Sequence, residues 1–253
     1  MIPYFETHIT EACNLNCRGC SHFSVLAKPK HKDIAEFERE YKRLAEIEEI
    51  HTMRLMGGEP LLNPDFMEYL RIARRYFPRS HICLVTNGTL GDRLRPHTAE
   101  LAALRINVTK SEYHITGDAI EYTEHHEKGQ LYNISLDPTG SQNKDMAFHR
   151  CDIRQNEWYY FMDGRFYPCC IAGTIQDFWR YFGLDWNIKQ EDMSIDIFTH
   201  TAEEIEAFLH QPIELCRYCD TMYRQLSYAP FSLSEKKIEQ VRIISMVQDF
   251  RSN

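Results

Sequence analysis

The sequence predicts an α/β fold: a partial (βα) barrel of the TIM type with about five to six units, followed by a small C-terminal module of one β-hairpin and helices. Three observations carry this expectation. From Ile2 to about Asp137 short apolar runs alternate with amphipathic segments, the rhythm of parallel strands covered by helices. After Asp137 the rhythm changes, and Trp158-Tyr159-Tyr160-Phe161-Met162 is joined through Asp163-Gly164 to Arg165-Phe166-Tyr167, a strong hairpin signal. The 253 residues, 43% hydrophobic and 26% charged, suffice for a real core, but the repeat count is too low for a closed eight-strand barrel. The expected division is a barrel over residues 1–137 and a second module over 138–253.

Tyr4-Phe5 and Ile9 mark a first strand that runs into a cysteine-bearing loop. The next segment sets Ile34, Phe37, Tyr41, Leu44 and Ile47 on one helical face, with Asp33 and Glu36 spaced as a capping box. Met53-Arg54-Leu55-Met56 reads as a strand halted by Gly57-Gly58. Asn63 followed by Pro64 fits an N-cap and first-turn proline, for a helix that buries Phe66, Leu70, Ala73 and Phe77. Ile82-Cys83-Leu84-Val85 is a third strand ended by Asn87-Gly88, residues 94–104 a third helix, and Ile106-Asn107-Val108 a fourth strand. A short helix around 118–125 and a fifth strand near 131–135 complete the repeat. In the second module Thr201 with Glu204 caps one helix, and Ser232 with Glu235 caps a last one burying Ile238, Val241, Ile244 and Val247.

Charge and targeting narrow the function. The net charge of −8, from 29 basic against 37 acidic side chains, repels a phosphate backbone, so no nucleic-acid partner is expected. No run approaches the roughly 18 apolar residues of a membrane span. The first twenty residues carry Glu6, Glu11 and three cysteines where a signal peptide would be apolar, so a cytoplasmic chain without a membrane partner is expected. Nine cysteines in a chain too long to need stapling point to metal rather than disulfides.

The sharpest signal is Cys13-x3-Cys17-x2-Cys20 in the loop after the first strand. Three thiolates with no fourth nearby can ligate three irons of a [4Fe–4S] cube and leave one iron open. A zinc knuckle completed by His8 or His22 is the alternative. Gly57-Gly58-Glu59-Pro60 follows the second strand, where two glycines free the backbone to approach a ligand and Glu59 offers an acceptor for an ammonium group. A second constellation comprises Cys151, Cys169-Cys170 and Cys216-x2-Cys219. The step from Cys151 to Cys169 spans the hairpin and returns the chain near its start, so four thiolates can close around one centre. Spacing alone leaves structural zinc open there too. Cys83, in an apolar strand, reads as a small buried hydrophobe, and Cys170 as packing beside the second centre. Lys110, Tyr113 and His114 follow the fourth strand, on the side where such folds gather ligands. His125-His126 reads as an exposed helix end, and Trp158 to Phe161 as hairpin core.

The three-cysteine loop, with Gly-Gly-Glu-Pro one βα unit downstream, closely resembles the radical S-adenosylmethionine (SAM) superfamily over roughly residues 1–135. The resemblance implies that SAM chelates the open iron, that the turn Gly57, Gly58, Glu59, Pro60 binds its methionyl amine, and that Thr86, Asn87 and Ser111 at the next strand ends contact its ribose or carboxylate. Reductive cleavage of SAM then yields a 5′-deoxyadenosyl radical that abstracts a substrate hydrogen, with a flavodoxin or ferredoxin as electron donor and with oxygen sensitivity. The chain departs from the family at Gly19, commonly aromatic there, and His22 or Phe23 is the expected substitute near adenine. The later cysteines look like the Twitch module, the shortened relative of the SPASM domain, and are similar in order to the 2-deoxy-scyllo-inosamine dehydrogenases. By that resemblance Cys151, Cys169, Cys216 and Cys219 hold an auxiliary [4Fe–4S] cluster, with Cys170 outside the pattern and a competitor of Cys169.

The expected function is therefore a radical SAM oxidoreductase acting on a small-molecule substrate, a sugar, aminocyclitol or nucleotide sugar, by dehydrogenation. Epimerisation is the alternative and needs a hydrogen donor such as Cys170 or Cys83. A peptide maturase would carry a leader-binding extension, whereas Met1 lies only twelve residues before Cys13. An electron carrier or zinc scaffold would leave Gly57 to Pro60 and the barrel rhythm without purpose.

Overall fold

The computed structural model describes residues 1–127, 130–132, 135–222, 228–230, 233 and 242–243. Strand β1 (Ile2–Thr10) divides its side chains by alternation: Phe5 and Ile9 enter the core beneath the helices, while Tyr4, Glu6 and His8 take the opposite face. It pairs in parallel with β2 (Ile50–Gly57), which pairs with β3 (His81–Thr86), then β4 (Ile106–Glu112), then β5 (Glu124–Glu127). Helices α1 (Ile34–Ile47), α2 (Phe66–Tyr76) and α3 (Thr98–Ala103) make the connections. α1 begins where Asp33 accepts from the Glu36 N–H at 2.9 Å.

The hairpin β8 (Tyr159–Met162) and β9 (Arg165–Tyr167) turns through Asp163 and Gly164, both at positive φ (50° and 69°), as the Asp-Gly signal requires. Its first strand lies parallel to β1, with Tyr159 and Tyr160 beside Phe5 and Glu6. The hairpin thus extends the barrel sheet past β1, and β10 (Ile195–Asp196) closes the order β10-β9-β8-β1-β2-β3-β4-β5. α7 (Ala202–Leu209) carries the expected reciprocal box of Thr201 and Glu204.

Several expectations are corrected. Residues 118–123 form no helix, and the fifth parallel strand is the polar segment Glu124–Glu127, so His125 and His126 lie on a strand. The segment near 131–135 is two short strands, β6 (Gln130–Tyr132) and β7 (Ser135–Leu136), paired outside the main sheet with β11 (Tyr228–Pro230) and β12 (Arg242–Ile243). Asn63 does not cap α2. Its amide donates to the Ile9 carbonyl at 2.8 Å and its carbonyl accepts from the Asp65 N–H, tying the turn to β1. Pro96 confines the start of the third helix to a 3₁₀ segment, Gly91–His97. Helices α4 (Lys144–Arg150), α5 (Asp152–Gln155) and α6 (Cys170–Phe182) were not among the expected elements. The last helix, expected from Ser232 and Glu235, lies outside the described residues.

Two apolar clusters hold this frame. One gathers Phe5, Tyr41, Leu55, Leu70 and Leu84 between strands and helices, with Phe5 edge-on to Tyr41 and Phe166. The other packs Phe23, Tyr160, Ile175, Phe178 and Leu215 between the hairpin and α6. Each such buried side chain contributes about 1.5–3 kcal/mol. Among the described residues no helix is long and apolar enough to cross a membrane.

Candidate functional site

The cysteine loop leaves β1 at Thr10 and is clamped by the turn after β2. The Gly58 N–H donates to the Thr10 carbonyl at 3.0 Å and the Glu59 N–H to the Ala12 carbonyl at 2.8 Å. A Cβ on Gly57, at φ +156°, would stand 2.1 Å from the Thr10 oxygen, and one on Gly58 2.2 Å from the Ala12 oxygen and 2.7 Å from Cβ of Cys13. The two glycines are therefore required by backbone packing against the cysteine loop, a role the sequence reading did not assign them.

Glu59 is fully buried behind this turn and accepts from Thr86 Oγ1 (2.7 Å), the Asn87 N–H (2.7 Å) and the Leu61 N–H (3.1 Å). Burial pushes its carboxyl up to about 7, only partly countered by those donors. The carboxylate thus braces the ends of β2 and β3, and neither Glu59 nor Pro60 is among the residues lining the cavity below.

That cavity, about 370 Å³, falls in the range of small-molecule sites. Its rim brings together Cys13, Cys17 and Cys20 with Gly57-Gly58 and with Thr86, Asn87 and Ser111. Asn87 also donates to Asn14 Oδ1 at 2.9 Å, joining the end of β3 to the cysteine loop. Burial pushes the thiols of Cys13 and Cys17 up to about 12, reinforced for Cys13 by the charge of Cys20 and for Cys17 by Cys20 and Cys13. A bound cation reverses that balance and makes the set a thiolate ligand group. The Tyr113 phenol, raised by burial and then by the same three thiols, closes one side.

The deeper wall holds residues that no motif marks. Tyr4 and Glu6 of β1, Arg54 of β2 and His126 of β5 all line it, with His22 and Cys170. Tyr4 donates to Glu6 at 2.6 Å and His22 Nε2 meets the other Glu6 oxygen at 2.9 Å. Burial alone would raise the Glu6 carboxyl; His22, then Tyr4 and Arg54, hold it down at about 2. The available signal was alternation: polar Tyr4, Glu6 and His8 every second residue on a strand whose other face is core.

Other expected residues separate. Of the two proposed substitutes near Gly19, His22 lines the cavity, whereas Phe23 is fully buried against Phe178. Trp158 is 40% exposed and lines the cavity, so it is not hairpin core. Lys110 is 1% exposed and paired with Glu112 (2.9 Å) and Asp118 (2.7 Å), a structural cation. His114 faces solvent and pairs with Glu127. Cys83 is buried in β3, its thiol raised to about 11 by burial, and does not line the cavity.

The second cysteine set is gathered by helix ends. Cys151 joins α4 to α5, Cys169 caps α6 with its sulfur accepting from the Ala172 N–H at 3.4 Å, and Cys216 and Cys219 lie on and just after a 3₁₀ turn, Glu214–Tyr218. All four are partly buried against the second apolar cluster. Burial pushes the Cys216 thiol to about 12, followed by the charges of Cys169 and Cys151. The sequence places Cys170 beside this set. In the structure it opens α6, is 6% exposed, belongs to the apolar cluster against which that set packs, and also lines the cavity.

Neither cysteine set has three sulfurs within 4.8 Å of one another. One tetrahedral zinc with Zn–S near 2.3 Å needs sulfurs about 3.8 Å apart. Any three sulfurs of either set thus include at least one pair farther apart than a single zinc ion would hold them. The mixed trio Glu6, His22 and Cys170 does converge within 4.8 Å, as does Glu112, Asp118 and His125.

Residues 7–126 match the model of the radical SAM superfamily. The GTP 3′,8-cyclase of Chlorobaculum tepidum is 34% identical over 92 residues, 36% of this chain and 28% of that protein. That of Stenotrophomonas maltophilia is 32% identical over 110 residues, 42% and 33% of the two chains. The match thus spans about a third of these relatives' length. The crystal structure of BtrN in complex with AdoMet and 2-DOIA superimposes with a TM-score of 0.53 over 87% of this chain and 93% of that one, at 14% identity. SeMet BtrN in an open conformation gives 0.52 over 87% and 92%, at 18% identity. At these identities the two superpositions speak for a shared fold.

Proposed function

From the premise that residues 7–126 form a radical SAM domain, we propose that the chain is a radical SAM oxidoreductase that removes hydrogen from a small polar substrate, a sugar, aminocyclitol or nucleotide sugar. The observation that carries this reading is the meeting, in one 370 Å³ cavity, of three partly buried thiols, the Gly57-Gly58 edge and a polar inner wall. Cys13, Cys17 and Cys20 would hold a [4Fe–4S] cube, and Gly57, Gly58, Thr86, Asn87 and Ser111 would hold SAM against it. When bound, these cofactors supply a 5′-deoxyadenosyl radical that takes hydrogen from a substrate carbon.

The chain's own residues do the rest. Glu59 fixes the ends of β2 and β3 from behind, so the rim donors keep their places. Tyr113 and Trp158 flank the cavity, where they would limit the access of water to a bound substrate. Cys151, Cys169, Cys216 and Cys219, in residues 138–253, would hold the auxiliary cluster that accepts the second electron of a dehydrogenation. A flavodoxin or ferredoxin would supply the first. Epimerisation is the second reading, favoured by one observation: Cys170 opens onto the same cavity. Anaerobic reconstitution tests the proposal. Dithionite-reduced protein should release 5′-deoxyadenosine from SAM, and a chain that holds no iron or cleaves no SAM overturns it.

A further inference from the structure

Arg54 stands out on the inner wall. Its guanidinium lies 5.5 Å from the centre of the Tyr4 ring, and Nη1 and Nη2 make long contacts, 3.5 and 3.3 Å, with the His126 ring. Its Nε is buried with no hydrogen-bond partner. Among the described residues it forms no ion pair in direct contact: Glu6, which bonds Tyr4 and His22, feels its charge only at longer range, Cys83 is its other neighbour, and Glu124 pairs with His126 at 3.6 Å. A guanidinium that lines a cavity beside two rings, with no carboxylate in ion-pair contact, keeps its donors available to an anionic ligand. Its planar fork suits two oxygens of one anion better than a single hydroxyl.

Position supports the same conclusion. Arg54 precedes Gly57 by three residues on β2, about 10 Å at the usual rise per residue. It therefore lies well below the rim, at the depth that a small molecule reaching in from the rim would touch last.

Resting on the radical SAM reading above, we infer that the substrate carries an anionic group, a carboxylate or a phosphate, received by Arg54 beside Tyr4 and His126. Arg54 is then a specificity residue that orients the substrate from its far end, while hydrogen abstraction takes place nearer the rim.

The test is calorimetric titration of the anaerobic, cluster-loaded protein in the presence of SAM, with glucose 6-phosphate, glucuronate and glucose as probes. The expected result is at least tenfold tighter binding of one anionic probe than of glucose, the phosphate and carboxylate arms telling which group is read. Arg54→Gln should bring the anion within about twofold of glucose, and Arg54→Lys should fall between. Equal binding of all three probes, no binding of either anion, or a preference that survives Arg54→Gln overturns the inference. The wild-type comparison stands even if a variant fails to fold. Release of 5′-deoxyadenosine by the reduced wild type without any probe reports separately on the radical SAM reading. SAM cleavage without anion preference removes this inference alone, whereas anion preference without SAM cleavage removes that reading and leaves the anion site.

Discussion

The backbone N–H of Glu59 donates to the Ala12 carbonyl across 2.8 Å, one residue before Cys13. The turn after β2 and the cysteine loop are therefore one structural unit, and the geometry of the first thiol depends on a glycine that does not itself carry a ligand.

Gly58→Ala should expose that dependence. The added Cβ meets backbone at Ala12, 2.2 Å from its oxygen, and backbone cannot swing aside as a flexible side chain can. The loop must shift, so iron bound after anaerobic reconstitution should fall from about eight to about four per chain. Circular dichroism should remain that of the wild type. Full iron content in the variant would show that the loop accommodates the methyl group.

Replacing Cys13, Cys17 and Cys20 together by Ala should remove about half of the iron and all SAM cleavage. Replacing Cys216 and Cys219 should remove the other half and leave 5′-deoxyadenosine release measurable. Iron assays and chromatography of the nucleoside check both. Stoichiometric zinc without iron in anaerobically isolated protein would overturn the cluster reading.

Much of this site was legible in the sequence, for identifiable reasons. The cysteines, the glycine turn and the Asp163-Gly164 hairpin depend on local spacing and on residues with few alternative uses. The Thr201 and Glu204 box is equally local and appears with both bonds. Helix α6 was illegible because Ile171, Thr174, Ile175, Phe178 and Trp179 are weak helix formers and Cys169 is an unusual cap; tertiary burial of that face holds the helix. β5 is hidden for a related reason: Glu-His-His-Glu has no apolar period, and its strand form comes from pairing with β4 at the sheet edge. That Cys170, beside the second cysteine set as expected, also reaches the cavity follows from the rotation at the start of α6 and has no trace in spacing.

Glu59 gives a pH signature. Its carboxyl is raised on folding from 4.5 to about 7 by burial. A group so raised lends stability that is complete below its unfolded value and is lost as pH climbs through the folded one. Between pH 6 and pH 8 wild type should therefore lose about 1.4 kcal/mol relative to Glu59→Gln, whose side chain does not titrate. Any hydrogen bond lost to the amide is a constant offset and leaves the slope intact. Urea midpoints of the metal-free chain at the two pH values measure the difference, and parallel pH profiles would place the raised carboxyl elsewhere.

The reaction type turns on Cys170. Hydrogen abstraction from a carbinol carbon leaves a substrate radical with two exits. In dehydrogenation its hydroxyl would lose a proton, and the auxiliary cluster that Cys151, Cys169, Cys216 and Cys219 would hold would supply the acceptor for the remaining electron, giving a carbonyl. In epimerisation a thiol returns a hydrogen atom to the opposite face and keeps the radical on sulfur. Cys170 is the thiol outside both ligand sets that opens onto the cavity, whereas Cys83 does not line it. For the proposed dehydrogenation, turnover in deuterated water should give a carbonyl product with no carbon-bound deuterium, and Cys170→Ala should still form it. Carbon-bound deuterium in the product, abolished by Cys170→Ala and retained in Cys83→Ala, would instead make Cys170 the hydrogen donor and the protein an epimerase.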